Sequence, residues 1–334
     1  MTCAKVIGTG HCVPERVVTN HDLARMMDTS DEWIVERTGI RERRWITPGT
    51  TLDDLAAGAS RMALQDAGIE AGELDLIICA TLNPDCFFPG NGVLLQHALG
   101  ARTVGAMDLR NQCTGFVYGV ATAAAHIKAG FARTVLVVGT EIHSTSMDLT
   151  DRGRDIAVLF GDGAGAAVLR ATGDQGEGRS DVLASVLHSQ GEFARELWCE
   201  LPSGSQPGRI TAEQIAEGRH YPLMNGRAVY THAVRRFCEA IREVLEAGGV
   251  AKQDVKLVIP HQANLRITEA VTKRFDLAPE QVFSNIQRYG NTTAASIPIA
   301  LSEASREGRL ARGDLLVLVA FGSGFTWGAN LIRW

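Results

Sequence analysis

Four residues of this chain have side chains or backbone donors of the types that suit thiol-dependent chemistry. Cys113 stands in Asp108-Leu109-Arg110-Asn111-Gln112-Cys113-Thr114-Gly115-Phe116, after a short β-like run at 103–107 and before a small-residue helix at 117–128. The thiol therefore falls where a strand becomes a helix N-terminus, among unpaired N–H groups and at the positive end of the helix dipole. A thiol so placed is expected to ionise more readily than a free one. His261 closes an apolar run in Pro260-His261-Gln262-Ala263-Asn264, and Asn291 lies in Tyr289-Gly290-Asn291-Thr292, a turn before a second small-residue helix. Ser323 sits between Gly322 and Gly324, where its N–H is free to face a pocket. Together they give a nucleophile (Cys113), two donors for a developing enolate (His261 and Asn291) and a backbone oxyanion hole (the N–H groups of Cys113 and Ser323). No Asp or Glu adjoins Cys113, His261 or Asn291. A reaction that loses CO2 generates its own carbanion and needs no strong base, so the set suits decarboxylative condensation.

The elements that must position these residues alternate between strand and helix. Residues 4–10 read as a buried strand, 51–67 as an amphipathic helix with Asp53 and Asp54 in its first turn, and 74–81 as a strand whose continuous apolar run suits a parallel sheet. A helix at 90–99, the Cys113 element and a strand at 134–139 follow. The glycine-rich run Phe160 to Leu169 lacks the Lys-Ser/Thr of a phosphate loop and leads into a strand, so it reads as close-packed sheet backbone. The second half repeats the theme: a helix at 231–247, a strand at 254–260 mirroring 74–81, a strand at 314–320 mirroring 134–138, and Phe321 to Leu331 echoing Phe160 to Leu169. This is an α/β pattern with sheets covered on both faces. The division it predicts is an N-terminal half, 1–172, carrying the cysteine, and a C-terminal half, 173–334, carrying the histidine and asparagine. A polar linker or insert occupies about 173–225.

The chain has 334 residues, more than one simple core accommodates, with 45% hydrophobic and 21% charged residues and a net charge of -5. Mild acidity argues against nucleic acid as a partner. The seven cysteines include no Cys-x-x-Cys pair, so neither a zinc site nor a disulfide framework is indicated, which fits a reducing cytoplasm. No signal-peptide pattern and no apolar stretch of about 20 residues is present, so no membrane span is expected. Near the N-terminus Trp33 precedes the basic run Arg37 to Arg44. That run reads either as a solvated charge run or as a phosphate and adenine site, because guanidinium forks bind phosphate and an indole stacks on a base.

Taken with Asp31-Glu32-Trp33-Ile34, Arg37-Thr38-Gly39-Ile40, Asp151-Arg152-Gly153 and Phe321-Gly322-Ser323-Gly324-Phe325-Thr326-Trp327-Gly328, these motifs stand in an order that resembles the 3-oxoacyl-acyl-carrier-protein synthase III family of the thiolase superfamily. The resemblance spans nearly the whole chain. It implies a thiolase-like five-layered αβαβα fold made of two pseudo-repeats, a homodimer, and a ping-pong reaction without a metal or cofactor, coenzyme A thioester being a substrate. Cys113 would take the acyl group of an acyl-CoA. Malonyl-acyl-carrier protein would then lose CO2 and attack it, with His261 and Asn291 holding the carbonyl. The family pattern places Trp33 and Arg152 about the adenine of CoA, with Arg37 and Asn264 on other parts of it. It places Arg266, Lys273 and Arg274 on the face that meets the acidic carrier protein. Phe87 and Phe88 match the segment that crosses the dimer and lines the partner's acyl pocket.

The chain departs from the family pattern at Asn111 and Gln112, where small residues usually precede the nucleophile, and at Ser323, within a usual run of glycines. These departures leave open a ketosynthase or acyltransferase of a specialised pathway, with a longer or aromatic donor or another acceptor. A degradative thiolase needs a second cysteine near the C-terminus, and the last one here is Cys238. A non-catalytic CoA-binding protein would not need the Cys113, His261 and Asn291 set.

Overall fold

The computed structural model describes residues 2–173 and 181–334. Its elements are β1 (Cys3–Cys12), α1 (Asp31–Thr38), α2 (Leu52–Ala67), β2 (Leu76–Ala80), α3 (Asn91–Ala98), β3 (Gly105–Leu109), α4 (Gly115–Lys128), β4 (Thr134–Glu141) and β5 (Gly163–Thr172). The chain continues with β6 (Asp181–Ser189), α5 (Gly226–Gly248), β7 (Val255–Pro260), α6 (Leu265–Phe275), α7 (Ser296–Arg306), β8 (Leu315–Gly322) and β9 (Thr326–Arg333). Short strands, 3-10 turns and helical turns fill the connections.

The two sheets have one topology. The first runs β1-β5-β4-β2-β3 and the second, read from its far edge, β6-β9-β8-β7. In each, the inner pair is parallel (β2 with β4, β7 with β8) and the next two pairings are antiparallel. The place that β3 takes in the first sheet is held in the second by a single parallel bridge from Val258 to Val282. The segment at 181–189, within the stretch read as a linker, is therefore an edge strand of the second sheet.

Helices α4 and α7 fill the space between the sheets. Phe116, Val117, Val120 and Ile127 of α4 meet Ile297, Ala300 and Leu301 of α7 in one buried cluster with residues of both sheets. α2 covers the outer face of the first sheet, and α5 and α6 cover that of the second. The layers are thus helix, sheet, paired helices, sheet, helix. Small residues let the middle layer close up. A Cβ on Gly165 of β5 would stand 2.6 Å from the backbone nitrogen of Ile299 in α7. The run at 160–169 is sheet backbone against which a helix packs. Both middle helices are entered through a 3-10 turn, Gln112–Thr114 and Thr293–Ala295. Each turn opens on a left-handed non-glycine residue three positions before its helix, Gln112 at φ 41° and Thr293 at φ 48°. Such backbone is sparsely populated and is held only where the surroundings fix it. No helix among the described residues is long and apolar enough to cross a membrane.

Candidate active site

The symmetry of the halves brings the sequence-predicted residues together. Cys113 lies in the turn before α4, Asn291 just before the matching turn of α7, His261 immediately after β7 and Ser323 immediately after β8. One cavity of about 340 Å³ is lined by Cys113, His261, Asn291 and Gly322 at its inner end and by Arg37, Asn264 and Arg266 toward its mouth. Its walls include Leu197 and Met224 from the segment between β6 and α5, and Tyr230 from the first turns of α5. Only Gly fits at 322: a Cβ there would stand 2.6 Å from Cys113 Cβ and 3.1 Å from its sulfur.

Cys113 corrects one expectation. Its own N–H and that of Ser323 donate toward the sulfur and favour the thiolate, as the helix-terminus argument requires, but burial outweighs them and pushes the thiol up to about 12. Buried Glu141 adds to the rise. The Cys113 N–H, in the turn, and the Ser323 N–H, after β8, both face the sulfur, while burial stabilises the neutral thiol.

His261 is buried and neutral, its ring held down at about 3 by burial, with nearby His143 adding to the fall. Ser296 Oγ, at the start of α7, accepts from Gln262 N–H at 3.3 Å and lies 2.6 Å from His261 Nδ1. Ser296 is buried and its own hydroxyl hydrogen has no other acceptor among the described residues, so it donates to Nδ1, which leaves the hydrogen on Nε2. Nε2 is buried without a protein partner, a donor available to a ligand in the cavity. Asn291 is fixed through its backbone, whose N–H donates to Leu159 at 2.8 Å and whose carbonyl accepts from Gly161 at 3.1 Å. Its side-chain Oδ1 accepts the N–H of Thr293 at 2.9 Å, so Nδ2 remains to donate.

The basic run resolves into separate roles. Arg43 is fully buried and donates to Val18 and Val158 carbonyls and to Asn20 Oδ1, burial lowering it to about 10. It is structural, as no phosphate reaches it. Arg44 pairs with Glu42. Two guanidiniums lie over half-buried Trp33, that of Arg37 at 4.5 Å and that of Arg154 at 5.0 Å. Arg152 instead pairs with Asp148 at 2.6 Å and lies 5.6 Å from the Tyr221 ring. Asn264 caps α6 through Arg266 N–H and donates to the Arg37 carbonyl at 3.0 Å, which ties α1 to α6 at the cavity mouth.

Arg266, Lys273 and Arg274 are all exposed on α6. Phe87 and Phe88 project into solvent, 61% and 76% exposed. Their segment is pinned at both ends. Glu141 accepts the N–H of Leu82, while Asp85 caps α2 through Leu52 and Asp53 and Asp108 caps α3 through Asn91 and Gly92. Sequence reasoning missed Ser296, Glu141 and His143, buried polar groups behind the site. Their only signal was a polar residue inside an otherwise apolar or small-residue run. Among the described residues no group of three or more His, Cys, Asp or Glu could hold a metal ion.

The chain is similar to known proteins along its whole length. The family model described as 3-oxoacyl-[acyl-carrier-protein] synthase III matches residues 107–191, and its C-terminal companion matches 245–334. A beta-ketoacyl-[acyl-carrier-protein] synthase III of Symbiobacterium thermophilum is 47% identical over 98% of this chain and 97% of its own. One from Roseiflexus castenholzii is 46% identical over 99% and 98%. The crystal structure of 3-oxoacyl-[acyl-carrier-protein] synthase III from Aquifex aeolicus superposes with a TM-score of 0.89 at 44% identity, covering 99% of this chain and 100% of that one.

Proposed function

This chain belongs to the 3-oxoacyl-[acyl-carrier-protein] synthase III family, and from that premise we propose how its residues run the reaction. It is a condensing enzyme of the acyltransferase class that initiates fatty acid synthesis. Near-full-length likeness to synthases of that name disfavours the specialised alternative. The observation that carries the assignment of roles is the buried, unpartnered Nε2–H of His261 in one cavity with Cys113 and Asn291.

In the first half-reaction the Cys113 sulfur attacks the thioester carbon of an acyl-CoA. The developing oxyanion accepts the N–H groups of Cys113 and Ser323, and the CoA thiol leaves with the proton that Cys113 gives up. Arg37, lying over Trp33, and Asn264 hold the CoA at the cavity mouth, with Arg152 further along. In the second, malonyl-acyl-carrier protein docks against Arg266, Lys273 and Arg274. The bond to its carboxylate breaks, CO2 departs, and the electron pair passes to the thioester carbonyl, whose oxygen accepts from His261 Nε2–H and Asn291 Nδ2–H. The enolate carbon then attacks the acyl-Cys113 thioester, and the thiolate leaves as 3-oxoacyl-acyl-carrier protein forms. Neutral histidine suits this step, because it donates to an enolate that no strong base had to generate. Side chains and thioesters supply all the chemistry, so the reading includes no metal and no resident cofactor.

The halves divide as 1–172, with the nucleophile, and 173–334, with the two enolate donors. This division is supported by the matching sheet orders. The exposed edge strand β3 and the Phe87–Phe88 segment suit a homodimer in which that segment reaches the partner's acyl pocket.

Intact-mass measurement after incubation with acetyl-CoA and longer acyl-CoAs tests the nucleophile. One acyl group is expected on the wild type and none on Cys113→Ala. A full adduct on the variant would place the nucleophile elsewhere.

A further inference from the structure

The mechanism leaves His143 unused, although it is one of the most enclosed polar side chains of the molecule, 3% exposed. It lies just beyond β4, the strand that corresponds to β8 in the other half. Beyond β8, Ser323 turns its N–H to Cys113 at the entrance of α4. Beyond β4, His143 turns its ring to the entrance of α7, where Nε2 lies 2.6 Å from Thr293 Oγ1.

Its tautomer follows from its partners. Asn83 Nδ2 carries two hydrogens, one of which goes to the Ile142 carbonyl at 3.0 Å while the other faces His143 Nδ1 at 3.4 Å. Nδ1 is therefore the acceptor and Nε2–H the donor to Thr293. Burial keeps the ring neutral. Thr293 is the β-branched residue held at φ 48°, a conformation that its side chain disfavours. The same residue gives its N–H to Asn291 Oδ1. If Thr293 relaxes out of that backbone conformation its N–H swings away, and nothing then distinguishes the two ends of the Asn291 amide. His143 does not line the cavity. Phe160 does, with its ring 4.7 Å from His143.

We propose that His143 is a positioning residue for the condensation step: by donating from Nε2 to Thr293 Oγ1 it holds the left-handed turn that keeps Asn291 Oδ1 occupied and Asn291 Nδ2 directed at the enolate. The inference rests on the role assigned to Asn291 above. It concerns only the second half-reaction, because Cys113 is served by the other turn.

The test separates the two half-reactions in His143→Leu, which keeps the volume and deletes the hydrogen bond, and in His143→Gln, whose amide restores a donor. Cys113 loading is read by intact mass against time with acetyl-CoA, and condensation by CO2 release from malonyl-acyl-carrier protein. For His143→Leu, loading is expected within twofold of wild type, condensation kcat lower by about 10- to 100-fold, and KM for malonyl-acyl-carrier protein within threefold. His143→Gln should recover most of kcat. In an Asn291→Ala background, adding His143→Leu should change condensation by less than twofold, since the group it positions is gone. Thr293→Ala removes the same hydrogen bond from the other end and should give the same split, which keeps the test available if His143→Leu does not fold. An undiminished kcat in His143→Leu, an equal loss in both half-reactions, or an undiminished effect in the Asn291→Ala background would each overturn the proposal. Asn291→Ala condensing at the wild-type rate would instead remove the role of Asn291 on which it stands.

Discussion

At the scale of the residue, the site sets neutral groups where simple rules expect charged ones. A helix N-terminus lowers a thiol, yet the Cys113 thiol is raised to about 12 because burial keeps water from it. The reaction tolerates this. In the proposed mechanism the proton need only leave as the acyl carbonyl meets the two N–H groups, and a buried neutral thiol is less open to oxidation meanwhile. The consequence is visible in alkylation. The rate of Cys113 carbamoylmethylation by iodoacetamide should rise about tenfold per pH unit from pH 7 to 10 without a plateau, tracking a thiolate fraction that grows toward about 12. Mass spectrometry of the modified peptide against time reads this directly. A plateau near neutrality would show that the helix terminus, not burial, governs the thiol. His261 follows the same logic: held near 3, it remains a neutral donor across the working range.

At the scale of the element, Glu141 joins strands to site. At the C-terminal end of β4 it accepts from Thr81 Oγ1 and Leu82 N–H and from the N–H groups of Asn83 and Ala294. It thereby ties the Phe87–Phe88 segment to the turn that enters α7. Burial raises it to about 8 from 4.5, against those hydrogen bonds. Between pH 4.5 and 8 the folded chain thus keeps a proton there that the unfolded chain has released, so stability falls as pH rises through that window. His143 and His261, both lowered to about 3 from 6.5, act with the opposite sign. The unfolded chain binds protons that the folded one refuses, and their contribution is lost as pH falls below 6.5. Of these three groups, two outweigh one below pH 6.5, and Glu141 acts alone from 6.5 to 8. Urea unfolding of the wild type should therefore show stability decreasing from pH 6.5 to 8, and Glu141→Gln should flatten that limb. An unchanged slope in the variant would mean that another group holds the proton. None of this was legible in the sequence. The apolar runs at 74–81, 134–139, 254–260 and 314–320 and the small-residue runs after Cys113 and Asn291 displayed strands and middle-layer helices, because burial leaves a one-dimensional trace. Glu141, His143 and Ser296 left none. Their roles depend on which strand end faces which helix entrance, a product of the superposed halves. The strand at 181–189 was hidden for a related reason: an edge strand with alternating exposed residues, beside a polar segment, looks like a linker.

At the scale of the whole molecule, the net charge of -5 would by itself repel an acidic partner, so the proposed recruitment of a carrier protein requires a local basic face. On the proposed docking face, helix α6 supplies local positive charge. Ile267, Thr268 and Val271 are buried against the body, and Asn264 fixes the N-terminus beside the cavity mouth. Arg266 and Lys273, seven residues apart, share the exposed side, with Arg274 adjacent and Glu269 offsetting part of their field. Arg266 also lines the cavity, whereas Lys273 and Arg274 lie two turns away in the last turn of the helix. The distant pair can therefore be altered without touching the chemistry. Lys273→Glu with Arg274→Glu should raise KM for malonyl-acyl-carrier protein by about tenfold or more at low salt, leave the Cys113 loading rate within twofold, and flatten the salt dependence of condensation. Exposed charges act over roughly one Debye length, about 8 Å at physiological ionic strength. The wild-type advantage should thus shrink as salt rises, until the two proteins converge near 0.5 M. A change in kcat at saturating carrier protein would mean that the helix does more than dock. A KM unmoved at low salt would place the acidic partner on another face of the molecule.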